Sequence, residues 1–156
     1  MSEAVHGLLL EQARVMYPGT VALGQLHWPD SASGVDAHGR DGVKFSKQEK
    51  QAMQARAGDF PTTVALVVTP GQVFVCPYKV ARNGAAKLGS DLKGWSRDQL
   101  RIAISHPYGS KDYARLELMS QDQRIELDAA DANGVNREFL ATISGAVGET
   151  GISRSG

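Results

Sequence analysis

The segment between residues 62 and 129 is a series of short stretches rich in apolar and β-branched residues, and in residues 98–105, 113–119 and 124–129 apolar and polar side chains alternate. Because successive side chains of a β-strand point to opposite faces, this alternation predicts an antiparallel sheet with one buried face and one face in water. Pro70 and Gly71 separate the first two stretches and predict a hairpin there. The predicted strands are residues 62–69, 72–80, 92–95, 98–105, 113–119 and 124–129, with a loop at residues 81–91.

The last apolar segment of the chain has the period of a helix instead. Val135, Phe139, Ile143 and Val147 recur at four-residue spacing, which predicts an amphipathic helix over about residues 133–147. A helix with one apolar stripe can cover the open apolar mouth of a bent sheet. The predicted fold class is therefore α+β, with a strongly bent antiparallel sheet capped by a C-terminal helix.

Helical and extended segments precede the sheet. Residues 3–16 and 46–57 have helical spacing, residues 20–28 favour a short strand, and the glycine-rich residues 29–44 favour a loop. Ser46 to Glu49 forms a capping-box pattern at the start of the second helix.

The second helix has a thin apolar face, made of Ala52, Met53 and Ala55. We therefore expect it to lie on the surface or to pack against another copy of the chain. Residues 1–58 are predicted as a helical N-terminal arm, and the sequence leaves open whether this arm packs onto the main domain.

Three stretches resemble a known superfold: VALVVTPGQVFV in the first hairpin, WSRDQL before a middle strand, and RLELMSQDQRIELDA followed by NREFLATI. Together they resemble the pleckstrin-homology and GRAM-like domains, above all bacterial pleckstrin-homology-like domains of unknown function. The resemblance implies a half-open barrel over residues 59–148, plugged at one end by the last helix. It also implies a recognition scaffold without chemistry of its own. The remaining residues, 149–156, have nothing to bury and are predicted to be disordered.

The first hairpin loop departs from the ligand-binding members of that superfold. Those that bind phosphoinositides hold the headgroup with basic residues in a long first hairpin loop. Here the corresponding loop, Thr69–Gln72, is short and uncharged, so that site is not expected to carry over.

Composition limits the remaining function classes. The chain has 17 basic and 17 acidic residues and no net charge, whereas proteins that live on nucleic acid usually carry a basic excess. The few aromatic residues are also scattered, so no nucleic-acid partner is expected.

The single cysteine, Cys76, excludes an intramolecular disulfide and zinc sites of the four-cysteine or two-cysteine, two-histidine kind. No signal peptide or long apolar run is visible, so a cytoplasmic location is expected.

No common catalytic or metal-binding motif is present. His38, with Asp30, Asp36 and Asp41, fits no recognised ligand spacing, and sequence alone cannot bring His106 to Cys76. We therefore expect no enzyme, no metal site and no cofactor. An enzyme of unrecognised type would need a pocket near Cys76, His106 or His38.

A local excess of positive charge is the strongest candidate site. Residues 79–101 contain six basic and two acidic side chains, whereas residues 112–149 contain eight carboxylates and three arginines. This segregation fits a positive rim for an anionic ligand, complementary charge between copies, or an ordinary solvated surface. The candidate ligand-binding residues are Lys79, Arg82, Lys87, Lys93 and Arg97.

Two binding hypotheses follow. The first is a scaffold that contacts other proteins and itself, since the second helix has a weak apolar face and Pro77 marks a sheet edge open to an added strand. The second is an anionic ligand or lipid surface held by the basic rim.

Overall fold

A computed structural model describes residues 3–29, 47–107, 109, 113–121, 123–130, 135–146 and 154–155, the last two and 144–146 as backbone only. The candidate metal ligands around His38 and the Ser46 cap lie outside these residues, as does most of the predicted loop at 29–44. The described chain forms three helices, α1 (Glu3–Met16), α2 (Lys47–Arg56) and α3 (Arg137–Ala146). Its strands are β1 (Ala22–His27), β2 (Thr63–Val68), β3 (Gln72–Val80), β4 (Ala86–Leu88), β5 (Lys93–Ser96), β6 (Arg101–Ser105), β7 (Tyr113–Ser120), β8 (Gln123–Ala130) and β9 (Arg154–Ser155).

The strands form one mostly antiparallel sheet in the order β4-β3-β2-β1-β8-β7-β6-β9. β5 pairs with the first half of β3, on the same edge that β4 takes further along. Among the described residues, β5 and β6 do not pair; a single turn of 3-10 helix, Arg97–Gln99, connects them. The predicted α+β class and the C-terminal helix are confirmed, and the sheet stays open at the seam between β5 and β6.

One face of the sheet lines the main core, and we call it the inner face. Alternate residues of six strands point into this core, as the alternating pattern predicted. α3 closes this core with Phe139, whose ring lies against Gly24 of β1. The largest fully buried side chains of this cluster are Leu26, Leu66, Ile102, Leu116, Leu118, Ile125, Leu127, Phe139 and Ile143.

The outer face of the first half of the sheet is covered by α1. Leu9 and Ala13 of the helix pack on Leu23, Val67 and other outer residues of β1 to β4. β1 is therefore buried on both sides along its full length. Since β1 also pairs with β2 and β8, the described part of residues 1–58 packs into the same sheet as the rest of the chain.

α2 is held on the surface by its own chain. Met53 is buried, and Ala57 and Phe60 just after the helix belong to the main core. Arg56 also forms an ion pair with Glu126 of β8. The surface position predicted for this helix is confirmed, with Ala57 and Phe60 joining the main core of the same chain. Packing of the helix against another copy stays a prediction.

Three local features differ from the sequence prediction. The loop predicted at 81–91 contains β4, because the chain doubles back along β3. Pro77, predicted at a sheet edge or a bulge because it cannot donate to a ladder, lies within β3 where the partner strand on one side changes from β5 to β4, with β2 on the other side, so it is not at an open edge. Within the tail predicted to be disordered, β9 pairs in parallel with Ile104 and Ser105 of β6.

Candidate anion-binding surface

The β3–β4 hairpin continues beyond the last residue that β2 pairs, and this part of the hairpin carries three basic side chains. β2 pairs with β3 only as far as Pro77, so the residues after it continue as a two-stranded ribbon with β4. We call residues 77–89 the basic ribbon. This segment contains Lys79, Arg82 and Lys87 and no aspartate or glutamate.

The turn of the basic ribbon has a local sequence cause. Gly84 takes a positive φ of 86°, which glycine adopts without a steric penalty. The Asn83 side chain accepts a hydrogen bond from the Ala85 amide at 3.0 Å, and the Ala81 amide donates to the Ala85 carbonyl at 2.8 Å. These bonds close the hairpin tightly and place Arg82 in an exposed position at its tip.

The far edge of β4 is held by a side chain of α1. Gln12 Nε2 donates to the Ala86 carbonyl at 2.8 Å, and Gln12 Oε1 accepts from the Leu88 amide at 2.7 Å. One glutamine thus supplies both bonds that a further strand would make there. The short strand β4 is thereby fixed on α1, and this part of its edge is occupied.

Lys79 and Lys87 lie directly opposite each other on the ribbon. Directly paired residues share a face, and on the other face Tyr78 and Leu88 pack against α1. The two lysines therefore both point away from α1, where each is exposed. Like charges directly opposite on a sheet cost up to about 1 kcal/mol, which an anion bound between them would offset.

A small pocket lies beside the two lysines. Its volume is about 240 Å³, and it is lined by Pro77, Tyr78, Lys79, Lys87 and Gly89. A side chain at position 89 would meet the Pro77 ring, since a Cβ there would lie 2.9 Å from Pro77 Cγ. Glycine at position 89 therefore avoids a clash with Pro77 at the wall of this pocket.

Nearby carboxylates do not neutralise the ribbon within the described part of the chain. The first acidic residue after it, Asp91, accepts a hydrogen bond from the Tyr17 hydroxyl at 2.7 Å. The described ion pairs hold the carboxylates of Glu117, Glu126 and Asp128 on β7 and β8. Three of the eight carboxylates in residues 112–149 are thus engaged with arginines of the same chain.

Lys93 and Arg97 lie elsewhere, so the five predicted site residues do not form one rim. Lys93 of β5 pairs with Val75, four residues before Lys79 and about 13 Å away along β3. The Arg97 guanidinium donates to the Thr69 carbonyl at 3.1 Å and so stabilises the β2–β3 turn. Lys79, Arg82 and Lys87 remain as the group that the fold brings together.

Cys76 and His106, the other candidate residues, each contact groups of the fold that suit a structural role rather than a catalytic one. Cys76 lies on the α1 side of β3, and burial raises the pKa of its thiol. A buried protonated thiol is a poor nucleophile. His106 lies within hydrogen-bond distance, 3.1 Å, of the Tyr113 carbonyl, and Cys76 contacts the Tyr17 hydroxyl instead. Within the described ranges, no three histidine, cysteine or acidic residues converge as metal ligands would.

A buried charged cluster on β7 and β8 was not anticipated from sequence. Asp128 is fully buried and accepts two hydrogen bonds from the Arg115 guanidinium, at 2.8 and 3.1 Å, and one from the Tyr113 hydroxyl. The strand register explains it, because Arg115 and Asp128 are direct partners across the two strands. The bidentate pair links β7 to β8 near the point where β8 meets β1.

Comparison with known proteins gives no family for this chain: no protein-family model matches it, and no curated protein matches it. In the part of the chain that the structure describes, none of the helices has the length and apolar character needed to cross a membrane.

Proposed function

We propose that this chain is a non-catalytic binding module that holds a phosphate-bearing anionic ligand on its basic ribbon. The main support for this proposal is that Lys79 and Lys87 pair across β3 and β4, and both are exposed beside a small pocket. Ammonium groups are strongly hydrated point charges that bind phosphate oxygens without fixed geometry. Arg82 at the tip adds a third cation to the same projecting end.

The fold supports such a role. We infer a half-open, pleckstrin-homology-like barrel, since the inner face encloses one core, α3 plugs it and the seam between β5 and β6 stays unpaired. A rigid sheet with a projecting hairpin presents charged side chains at fixed positions, as a recognition scaffold requires. In this proposal the ligand contacts residues 77–89 and not the short loop Thr69–Gln72.

Contact with other proteins, including a second copy, was the first hypothesis from sequence and stays a prediction. The two observations that favoured it are weakened by the structure. α2 docks on the sheet of its own chain, and Pro77 is flanked by strands on both sides. Light scattering at high protein concentration tests it, and a strict monomer would count against self-association. The ribbon proposal does not depend on that result.

The test of the ribbon is co-sedimentation with vesicles containing phosphatidylserine, compared with vesicles of phosphatidylcholine alone. Each lysine near an anionic surface contributes about 1 kcal/mol, so the double variant Lys79→Gln/Lys87→Gln should bind about thirtyfold more weakly. The matched control is Lys47→Gln/Lys50→Gln, which removes the same charge from exposed positions of α2. Binding should also weaken with added salt.

A parallel titration with inorganic phosphate distinguishes a lipid headgroup from a free phosphate. Binding of vesicles alone assigns a headgroup, and binding of phosphate at comparable ionic strength assigns a soluble ligand. Either result supports anion binding at the basic ribbon if the Lys79→Gln/Lys87→Gln variant loses that binding and the α2 control keeps it. No binding in both arms, or equal loss in the control, would contradict the proposed function.

A further inference from the structure

A second cleft lies at the open seam between β5 and β6, away from the basic ribbon. Its volume is about 560 Å³, within the usual range for small-molecule sites. β5, the 3-10 turn and the β7–β8 turn contribute its walls. The lining residues are Lys93, Gly94, Trp95, Asp98, Gln99, Arg101, Met119, Ser120 and Gln121.

Trp95 in this cleft has a buried donor without an acceptor. The residue is only 9% exposed, and its indole Nε1 is buried and forms no hydrogen bond with any described residue. The other tryptophan differs, because Trp28 Nε1 donates to the Phe60 carbonyl at 2.8 Å. A buried polar group without a partner costs about 1–3 kcal/mol, so an acceptor supplied by a ligand would be stabilising.

The charges around the cleft indicate the class of ligand. Lys93 approaches from β5, with its Nζ 5.8 Å from the centre of the Trp95 ring, and Arg101 lines the cleft from β6. Asp98 lines the same cleft, so the lining has one net positive charge. A single carboxylate matches this balance better than a doubly charged phosphate, and the arginine fork suits a carboxylate geometrically.

The volume and the apolar walls indicate the rest of the ligand. A cleft of about 560 Å³ is much larger than a bare carboxylate group, so it has room for a body attached to that group. Trp95 and Met119 supply apolar surface for this body, whereas Gln99, Ser120 and Gln121 supply polar groups around it.

We propose that the seam between β5 and β6 binds a small organic monocarboxylate with an apolar body. Arg101 and Lys93 hold the carboxylate, and a ligand oxygen accepts the Trp95 N–H once the exposed Lys93 side chain moves off the ring. The apolar body lies between Trp95 and Met119. This site is separate from the ribbon and does not depend on the proposed phosphate binding there.

The test uses hexanoate and phenylacetate as probes, with the amides hexanamide and phenylacetamide as uncharged controls. Isothermal titration calorimetry on the unmodified chain measures binding without relying on any variant. In Trp28→Phe, whose folding is checked by circular dichroism, the fluorescence of Trp95 reports on the cleft alone. At least one carboxylate should bind saturably and change this fluorescence, and both amides should do neither.

Variants locate the bound carboxylate. Arg101→Gln should weaken its binding about tenfold or more, as expected for loss of a charge-assisted bidentate contact. Lys79→Gln in the ribbon is the matched control and should leave it unchanged. Absence of saturable binding for both carboxylates, equal binding of the amides, or full binding by Arg101→Gln would overturn the proposal. Competition by inorganic phosphate as strong as by carboxylate would also contradict it.

Discussion

The side-chain amide of Asn136 pairs with the backbone of Gln25 as a neighbouring strand would. The Gln25 amide donates to Asn136 Oδ1 at 2.8 Å, and Asn136 Nδ2 donates to the Gln25 carbonyl at 2.9 Å. Among the described residues, His27 and Asp128 pair between β1 and β8, and Asn136 bonds to β1 two residues before that pair. Since Asn136 directly precedes α3, these bonds fix the start of the capping helix on the centre of the sheet.

Replacing Asn136 should therefore be costly. Asn136→Ala leaves the buried Gln25 amide and carbonyl without these partners, which should lower the free energy of unfolding by about 2–4 kcal/mol. Urea denaturation measures it. Asn83→Ala removes an amide side chain that makes one exposed bond, and should cost less than about 1 kcal/mol. Equal losses in the two variants would mean that the Asn136 bonds do not bear on stability.

Two glycines should respond to alanine in opposite directions. A Cβ at Gly24 would lie 2.5 Å from the Phe139 ring, whereas a Cβ at Gly7 in α1 meets nothing within 4 Å. Gly24→Ala should destabilise by about 1–3 kcal/mol or more through overpacking. Gly7→Ala should stabilise by about 0.5–1 kcal/mol through helix propensity. Thermal unfolding of both variants checks the signs, and a harmless Gly24→Ala would contradict the close packing of α3 on β1.

The buried ion pair should matter more than the exposed one beside it. Arg115→Met leaves Asp128 buried without its main cation, and should cost about 3–5 kcal/mol. Arg124→Met breaks the pair with Glu117, in which the arginine side chain is 62% exposed, and should cost at most about 1 kcal/mol. Chemical denaturation compares the two, and similar losses would mean that burial of Asp128 has no energetic role.

Alkaline pH should destabilise the α1 face of the sheet. Burial raises the pKa values of Tyr17, Cys76 and Tyr78, and the hydrogen bond to Asp91 raises that of Tyr17 further. The folded state thus favours the protonated forms, so their contribution is complete below the ordinary pKa values, 9.0 for cysteine and 10.0 for tyrosine, and falls as pH rises above them.

Unfolding experiments across pH 8 to about 11 measure this loss. Tyr17→Phe should lower stability at neutral pH by removing the bond to Asp91, but should flatten the decline above about pH 10. An unchanged loss of stability at alkaline pH in Tyr17→Phe would contradict the raised pKa of Tyr17.

Cys76 should react with a thiol reagent only at the rate of unfolding. Rapid labelling of the folded chain would contradict the burial of Cys76.

The alternating pattern was sufficient to predict most of the sheet. Ile102, Leu116 and Leu127 each occupy an inner position that the period of two assigns, and each is buried in the main core. The amphipathic spacing of Phe139 and Ile143 likewise predicted the capping helix. These patterns are local, so a strand or helix can be recognised without knowing its neighbours.

What the sequence did not reveal depends on contacts between distant residues. β4 is only three residues long and is held by Gln12, more than 70 positions earlier, so no local period marks it. The short strand predicted at residues 20–28 is confirmed as β1, but its place between β2 and β8 has no local signature, because it depends on pairing with strands distant in sequence. The bonds between Asn136 and Gln25, 111 residues apart, have no local signature either.

The candidate site was predicted in part. Sequence identified the excess of basic residues, but only the hairpin register places Lys79 opposite Lys87 and sends Arg97 to the β2–β3 turn. Trp95 entered the sequence analysis only as the first residue of the stretch WSRDQL, and its unpaired N–H at the β5–β6 seam depends on contacts that the local sequence does not show.

Residue-resolved NMR decides whether an anion binds at the basic ribbon. In a titration of the isotopically labelled chain with inorganic phosphate, at constant ionic strength, we expect saturable amide shifts confined to residues 77–89. Lys79→Gln/Lys87→Gln should abolish them. Shifts spread over exposed lysines such as Lys47 and Lys50, or no saturable shifts within the ribbon, would contradict anion binding there.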